Sequence, residues 1–192
     1  SILGDVPTIY MNGYVYFVPV DVYDPANFNL IPPQSGYINA ELWRTDGTSA
    51  GTTKVKEINP GMSGLTADAN PNNFLVVGNT LYFTATDGSN GVELWKSDGT
   101  SAGTVLVKDI NSGATGSSPS NLISFNGFIY FSANNGSTVN GSELWRTDGT
   151  NAGTVMVKDI RVGTGSASPS SFAALNSTHL MFSANDGVIG SE

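Results

Sequence analysis

This sequence has no cysteine, one histidine, few charges and no long hydrophobic run. The missing cysteine removes disulfides, thiolate metal sites and cysteine nucleophiles together. A Ser-His-Asp triad would have to use His179, and no nucleophile-elbow segment accompanies it. Aligned with the repeats described below, His179 falls where Thr80 and Phe128 stand, so it is expected to face solvent or pack. Charged residues are 12% of the 192, with 8 Lys and Arg against 16 Asp and Glu. The net charge of −8 repels phosphate backbones and anionic bilayers, so neither nucleic acid nor a membrane is an expected partner. No run approaches the ~20 apolar residues of a membrane helix. No phosphate-cradling Gly-x-x-x-x-Gly-Lys segment is present. Ser1 to Asp5 lack the basic and apolar regions of a signal peptide, so a secreted protein would carry its signal outside this chain.

What the chain has in quantity is glycine, 23 of them, and short apolar runs bounded by Gly, Asn, Asp or Pro. The clustering argues against disorder, and the runs lack helical spacing. The segment Glu93-Leu94-Trp95-Lys96-Ser97-Asp98-Gly99-Thr100 recurs as Glu41 to Thr48 and as Glu143 to Thr150, at spacings of 52 and 50. Glu192 falls 49 residues further on, after Gly190-Ser191, as Glu143 follows Gly141-Ser142. Self-similarity over so many positions marks a repeat architecture.

Each repeat holds four strand-like runs. In the second they are Asn73–Val77, Leu81–Thr86, Gly91–Ser97 and Thr104–Ile110. Four short antiparallel strands per unit make up a propeller blade. Turn chemistry sets the phase. Asn12-Gly13 and Asn126-Gly127 suit tight hairpins, whereas Asn111 to Ser118 is too long for one and reads as a crossover between blades. The expected fold is all-β: a single β-propeller-like array of four-stranded antiparallel blades, about three and a half in this chain. Blade one runs over about 6–59, blade two 71–110, blade three 119–160 and a partial blade four 169–192.

The third and fourth strands should pair around Asp-Gly-Thr. Placing Ser97 opposite Thr104 sets Trp95 opposite Leu106 and Glu93 opposite Lys108. The same register predicts Glu41–Lys56 and Glu143–Lys158 pairs that fix strand alignment. Trp43, Trp95 and Trp145 share one position and are expected to pack blade on blade. Asp46, Asp98 and Asp148 are expected to stabilise turns.

These eight residues resemble the repeat of the ELWxxDGT family of large bacterial proteins. The likeness extends into Ala102-Gly103-Thr104-Val105 and Val107-Lys108-Asp109-Ile110 and covers nearly the whole chain, with blade one the most divergent. The resemblance implies a secreted, extracellular or cell-surface, propeller-like array and brings no catalytic residues with it.

Specific function is expected where the repeat breaks. Val20 to Asn39 replaces a short loop of blade one and holds Asp21, Tyr23, Asp24, Phe28 and Tyr37, the candidate ligand-binding residues. Aromatic rings beside carboxylates suit a glycan or a protein surface. Asp87, Asn90 and Glu93 offer hard oxygens to calcium, but their spacing departs from an EF-hand loop, and no cofactor is expected. The leading expectation is a non-catalytic extracellular binding or adhesion module. The alternatives are a structural subunit, its partial blade completed by other chains or domains, and a glycoside hydrolase pairing Asp21 or Asp24 with Asp87.

Overall fold

The computed structural model describes residues 7–19, 40–61, 67–137, 141–188 and 190. Three four-stranded antiparallel sheets follow one another along the chain, each in simple sequence order. Unit one holds β1 (Thr8–Met11), β2 (Tyr14–Phe17), β3 (Leu42–Thr45) and β4 (Thr53–Lys56). Unit two holds β5 (Asn72–Val77), β6 (Thr80–Thr86), β7 (Val92–Ser97) and β8 (Val105–Lys108). Unit three holds β9 (Ser120–Phe125), β10 (Phe128–Asn134), β11 (Ser142–Thr147) and β12 (Val155–Lys158). A two-stranded sheet follows, β13 (Ser170–Ala174) with β14 (Leu180–Ser183).

The turns follow from residue chemistry. Asn12 (φ 53°) and Gly13 (φ 85°) join β1 to β2, and Asn126 (φ 48°) and Gly127 (φ 79°) join β9 to β10. Two consecutive positive φ values match the right-handed twist of a hairpin, and Asn-Gly tolerates both. Asn70, Ser118 and Ser168, all at φ 48°, close the crossovers just before a proline, which disfavours the ordinary helical conformation there. Their amides bond back to the unit just left: Asn70 to the Ala40 carbonyl, Ser118 to Val92 and Ser168 to Ser142, at 2.9–3.0 Å. The preceding carbonyls of Ala69, Ser117 and Ala167 accept amides of the next unit, from Thr86, Asn134 and Asn185. Each crossover is thus bonded into two units at once.

The first strands of successive units lie side by side, β1 by β5, β5 by β9 and β9 by β13. The core is layered between units. One cluster joins Tyr16, Leu42, Val55 and Ile58 of unit one to Leu81, Phe83 and Trp95 of unit two. The next joins Tyr82, Leu94, Val107 and Ile110 to Ile129, Phe131 and Trp145. Trp95 and Trp145 therefore pack unit on unit, as their repetition predicts. Their indole N–H groups, and that of Trp43, are enclosed without an acceptor, a cost each unit carries for the fit of the ring.

One register expectation fails. Trp95 does face Leu106, but a bulge between Leu94 and Trp95 brings Lys108 opposite Leu94. The same shift sets Lys56 opposite Leu42 and Lys158 opposite Leu144. None of the three expected Glu–Lys cross-strand pairs forms. The extra residue is Val107, in the fourth strand, and it moves Lys108 one place away from Glu93.

Candidate functional site

The Asp-Gly-Thr turns are alike in all three units. In unit two the Asp98 carboxylate accepts the Thr100 amide at 2.8 Å and its hydroxyl at 2.7 Å. The Thr100 hydroxyl oxygen accepts the Gly103 amide, and the Thr104 hydroxyl donates to the Thr100 carbonyl. The Ser97 and Thr104 hydroxyls meet at 2.7 Å. Asp46 with Thr48 and Asp148 with Thr150 repeat the pattern. Hydrogen bonds from those threonines hold the carboxyls of Asp46, Asp98 and Asp148 below their ordinary value. The glycine three residues past each threonine has a structural cause: a Cβ on Gly103 would lie 2.1 Å from Asp98 Oδ1.

Glu41, Glu93 and Glu143 are fully buried. Each carboxylate gathers the crossover that leaves its own unit. Glu41 accepts the amides of Ile58 and Asn59 at 2.9 and 3.0 Å. Glu93 accepts the amides of Asn111 and Ser117 at 3.0 and 2.8 Å, and also the Ser117 hydroxyl. Glu143 accepts the amides of Ile160 and Ala167 at 2.8 and 3.1 Å. Desolvation pushes the Glu41 and Glu93 carboxyls above their ordinary value, against these hydrogen bonds.

A second device joins units at the turn end. Arg44 donates to the Gly99 carbonyl at 2.8 Å, and Lys96 to the Gly149 carbonyl at 2.8 Å. The tyrosine of the second strand supports the same turn. A Cβ on Gly99 would lie 2.3 Å from the Tyr16 hydroxyl, and one on Gly149 2.4 Å from that of Tyr82. Lys56 reaches the Thr104 carbonyl at 2.7 Å and Lys108 the Thr154 carbonyl at 2.9 Å. Every repeated cation of units one and two therefore serves the unit that follows.

At the crossover end, between units two and three, lies a cleft of about 360 Å³. Asn111, Gly116, Ser117, Asn134, Ser137 and Ser142 are among its lining residues. It is built from the β8–β9 crossover and the β10–β11 loop. Asn111 anchors the crossover by donating to the Gly116 carbonyl at 2.7 Å. Asn111 also fits under Gly136, where a Cβ would lie 1.9 Å from its side-chain oxygen. Among the described residues the lining presents amide and hydroxyl groups, with neither an aromatic ring nor an ionised side chain.

The sequence candidates fall in different places. Asp21, Tyr23, Asp24, Phe28 and Tyr37 lie outside the described residues. Asp87 and Asn90 share one turn, where Asp87 accepts the amides of Ser89 and Asn90 and the Asn90 side chain, all at 2.8 Å. Burial alone would raise Asp87, but these hydrogen bonds together outweigh it and hold the carboxyl low. Glu93 does not join them, because both its oxygens serve the crossover. Among the described residues no group of three or more Asp, Glu, His or Cys could hold a metal ion. His179 is exposed, in a turn closed by Asn176 and Thr178. The glutamate staples and the cation latches escaped sequence reasoning. The signal for the latches was present: a lysine or arginine follows every repeated tryptophan.

No family model matches the chain, and no curated protein does. Among solved structures, a computationally designed protein, Ika8, aligns with a TM-score of 0.43 at 10% identity. The alignment covers 94% of this chain and 42% of that one, so this chain spans less than half of that protein's length.

Proposed function

We propose that the chain is a non-catalytic recognition module: a stretch of β-propeller of the ELWxxDGT type, working at the cell exterior and binding a neutral, hydroxyl-rich ligand such as a glycan. One observation carries the reading. The carboxylates of the Glu-Leu-Trp and Asp-Gly-Thr segments, Asp46, Asp98, Asp148, Glu41, Glu93 and Glu143, are all engaged by donors of their own unit or crossover, and a third repeated acidic position, Glu57, Asp109 and Asp159, stands outside this set. A glycosidase needs two carboxyls in unlike environments aimed at one bond, and a repeated, self-satisfied set does not supply them. The cleft between units two and three offers what a sugar needs instead, amides and hydroxyls that donate and accept without charge. The segment at 20–39 joins β2 to β3, the same connection that helps line the cleft in unit three, and is proposed as a second contact through Asp21, Tyr23, Asp24, Phe28 and Tyr37.

A neutral-glycan array probed with the intact chain tests this. Binding lost in Asn134→Ala or on deletion of 21–38, and kept in Asp98→Asn, is the expected result. An array without hits, or hits indifferent to both changes, sinks the reading. Release of reducing ends from a bound glycan, abolished by Asp87→Asn, would reinstate the hydrolase.

A further inference from the structure

The cleft between units two and three holds a pair of side-chain amides that no other junction has among the described residues. Asn134 ends β10, and its Oδ1 accepts the Gly136 amide at 2.8 Å. Asn111 opens the crossover, and its Nδ2 donates to the Gly116 carbonyl at 2.7 Å. Those two bonds fix which end of each side-chain amide is nitrogen and which is oxygen. The other ends are left over: Asn134 Nδ2, a donor, and Asn111 Oδ1, an acceptor. Neither has a partner among the described residues, and neither is enclosed. The two side chains flank Gly136. Its amide is held by Asn134, and a Cβ on it would stand 1.9 Å from Asn111 Oδ1. The equivalent places at the other junctions are spent or altered. Asn59 stands where Asn111 does, but its Oδ1 accepts the Gly61 amide. Thr86 stands where Asn134 does, and its hydroxyl oxygen accepts the Gly88 amide without bringing an amino group. At the third crossover Arg161 replaces Asn111 and removes the acceptor.

We propose that this pair reads the acetamido group of an N-acetylhexosamine, an inference that rests on the glycan reading of the cleft and names the class of sugar. The acetamido N–H donates to Asn111 Oδ1, and its carbonyl accepts from Asn134 Nδ2. Polarity decides the choice. A sugar hydroxyl both donates and accepts, so it satisfies either asparagine and distinguishes nothing. A secondary amide has one fixed donor and one fixed acceptor, as the asparagine pair has. A site built around such bonds rejects the analogue that leaves its groups unpaired. Among the described residues the lining carries no ionised side chain, so nothing in it favours an amino sugar or an acidic sugar over the neutral acetamide. The cleft volume of about 360 Å³ lies at the small end of ligand pockets, which run to about 1,000 Å³, and gives room for one sugar residue.

The test titrates N-acetylglucosamine, glucose and the peptide mimic N-acetylglycine N-methylamide into the isotope-labelled intact chain. The side-chain amide signals of Asn111 and Asn134 are followed by heteronuclear NMR. Saturable shifts of both are expected, with N-acetylglucosamine bound about tenfold more tightly than glucose, the worth of two neutral hydrogen bonds. Asn134→Asp keeps the acceptor for Gly136 and turns the donor into an acceptor, so the preference should vanish or reverse. Asn134→Thr installs the residue of unit two without a charge and should leave a preference of about threefold. Unchanged backbone signals away from the cleft confirm the fold of both variants. Equal affinity for the two sugars overturns this inference and leaves the glycan reading standing. Absence of saturable shifts with either sugar overturns both. Binding of the peptide mimic as tight as that of N-acetylglucosamine overturns the inference in favour of a peptide ligand. So does a sugar preference that both Asn134 variants keep, which would place the acetamido group elsewhere.

Discussion

The two ends of each unit use a carboxylate in opposite ways. At the turn end Asp98 lies in water and organises a few residues of its own loop. At the crossover end Glu93, five residues earlier, lies in full burial and ties its strand to backbone amides 18 and 24 residues away. The first arrangement is local and repeats almost unchanged. The second is long-range, and although its donor amides recur at the same distances along the chain, the residues that carry them differ: Asn59, Asn111 and Arg161 at one position, Ser117 and Ala167 at another. A turn can be copied, because its geometry is set within seven residues. A crossover must suit two neighbouring units, so its side chains differ, and a cleft appears between units two and three.

The sharpest way to break this comparison is Glu93→Ala. It leaves the Asn111 and Ser117 amides and the Ser117 hydroxyl buried without an acceptor, at roughly 1–3 kcal/mol each when fully unsatisfied. With partial relaxation the expected loss is about 3–5 kcal/mol in urea unfolding, against a total of about 5–15 for a domain. Glu93→Gln keeps one acceptor and should lose less than half of that. A loss for Glu93→Ala within error of zero would mean that the crossover holds itself. Gly103→Ala comes next. Its methyl group meets the Asp98 carboxylate, so the turn must open, at about 1–3 kcal/mol. Arg44→Ala removes a half-buried charged donor from the Gly99 carbonyl and should cost about 1–2 kcal/mol after discount for exposure. Arg146→Ala is its control. It has no carbonyl to lose among the described residues, so a change within about 0.5 kcal/mol is expected. Equal losses at both positions would show that the cation matters to its own sheet and not to the next.

Much of this was legible in the residues. Period, strand order and hairpin phase follow from Asn12-Gly13, Asn126-Gly127 and the recurrence of Trp43, Trp95 and Trp145, because each is a local rule. Trp95 and Trp145 read correctly because repetition implies a shared neighbour. Glu93 read wrongly because period-two pairing across a hairpin assumes an unbroken ladder. The bulge between Leu94 and Trp95 carries no glycine or proline to announce it. The cleft was invisible for another reason. Asn111 and Ser117 look like ordinary crossover polar residues, and only the packing of one unit on the next brings them beside Asn134 and Ser142.

The smallest effect separates the two carboxylates by titration. Threonine hydrogen bonds lower the folded pKa of Asp98, as they do for Asp46 and Asp148. A lowered carboxyl contributes stability above its unfolded pKa and loses it as pH falls through the folded value. These groups are exposed, so solvent screens most of the gain. Burial raises the folded pKa of Glu93 and Glu41. Their folded forms take up protons before the unfolded chain does. Acidification through the window between the raised folded value and the ordinary glutamate value therefore favours folding, and stability is lower above that window. Urea midpoints measured from neutral to acid pH at constant salt should hold or rise slightly, then fall. Glu93→Gln should remove part of the rise. Asp98→Asn should flatten part of the fall, because an amide does not titrate. An acid limb unchanged in the triple variant of Asp46, Asp98 and Asp148 to Asn would show that the turns contribute nothing through charge and that their repetition serves shape alone.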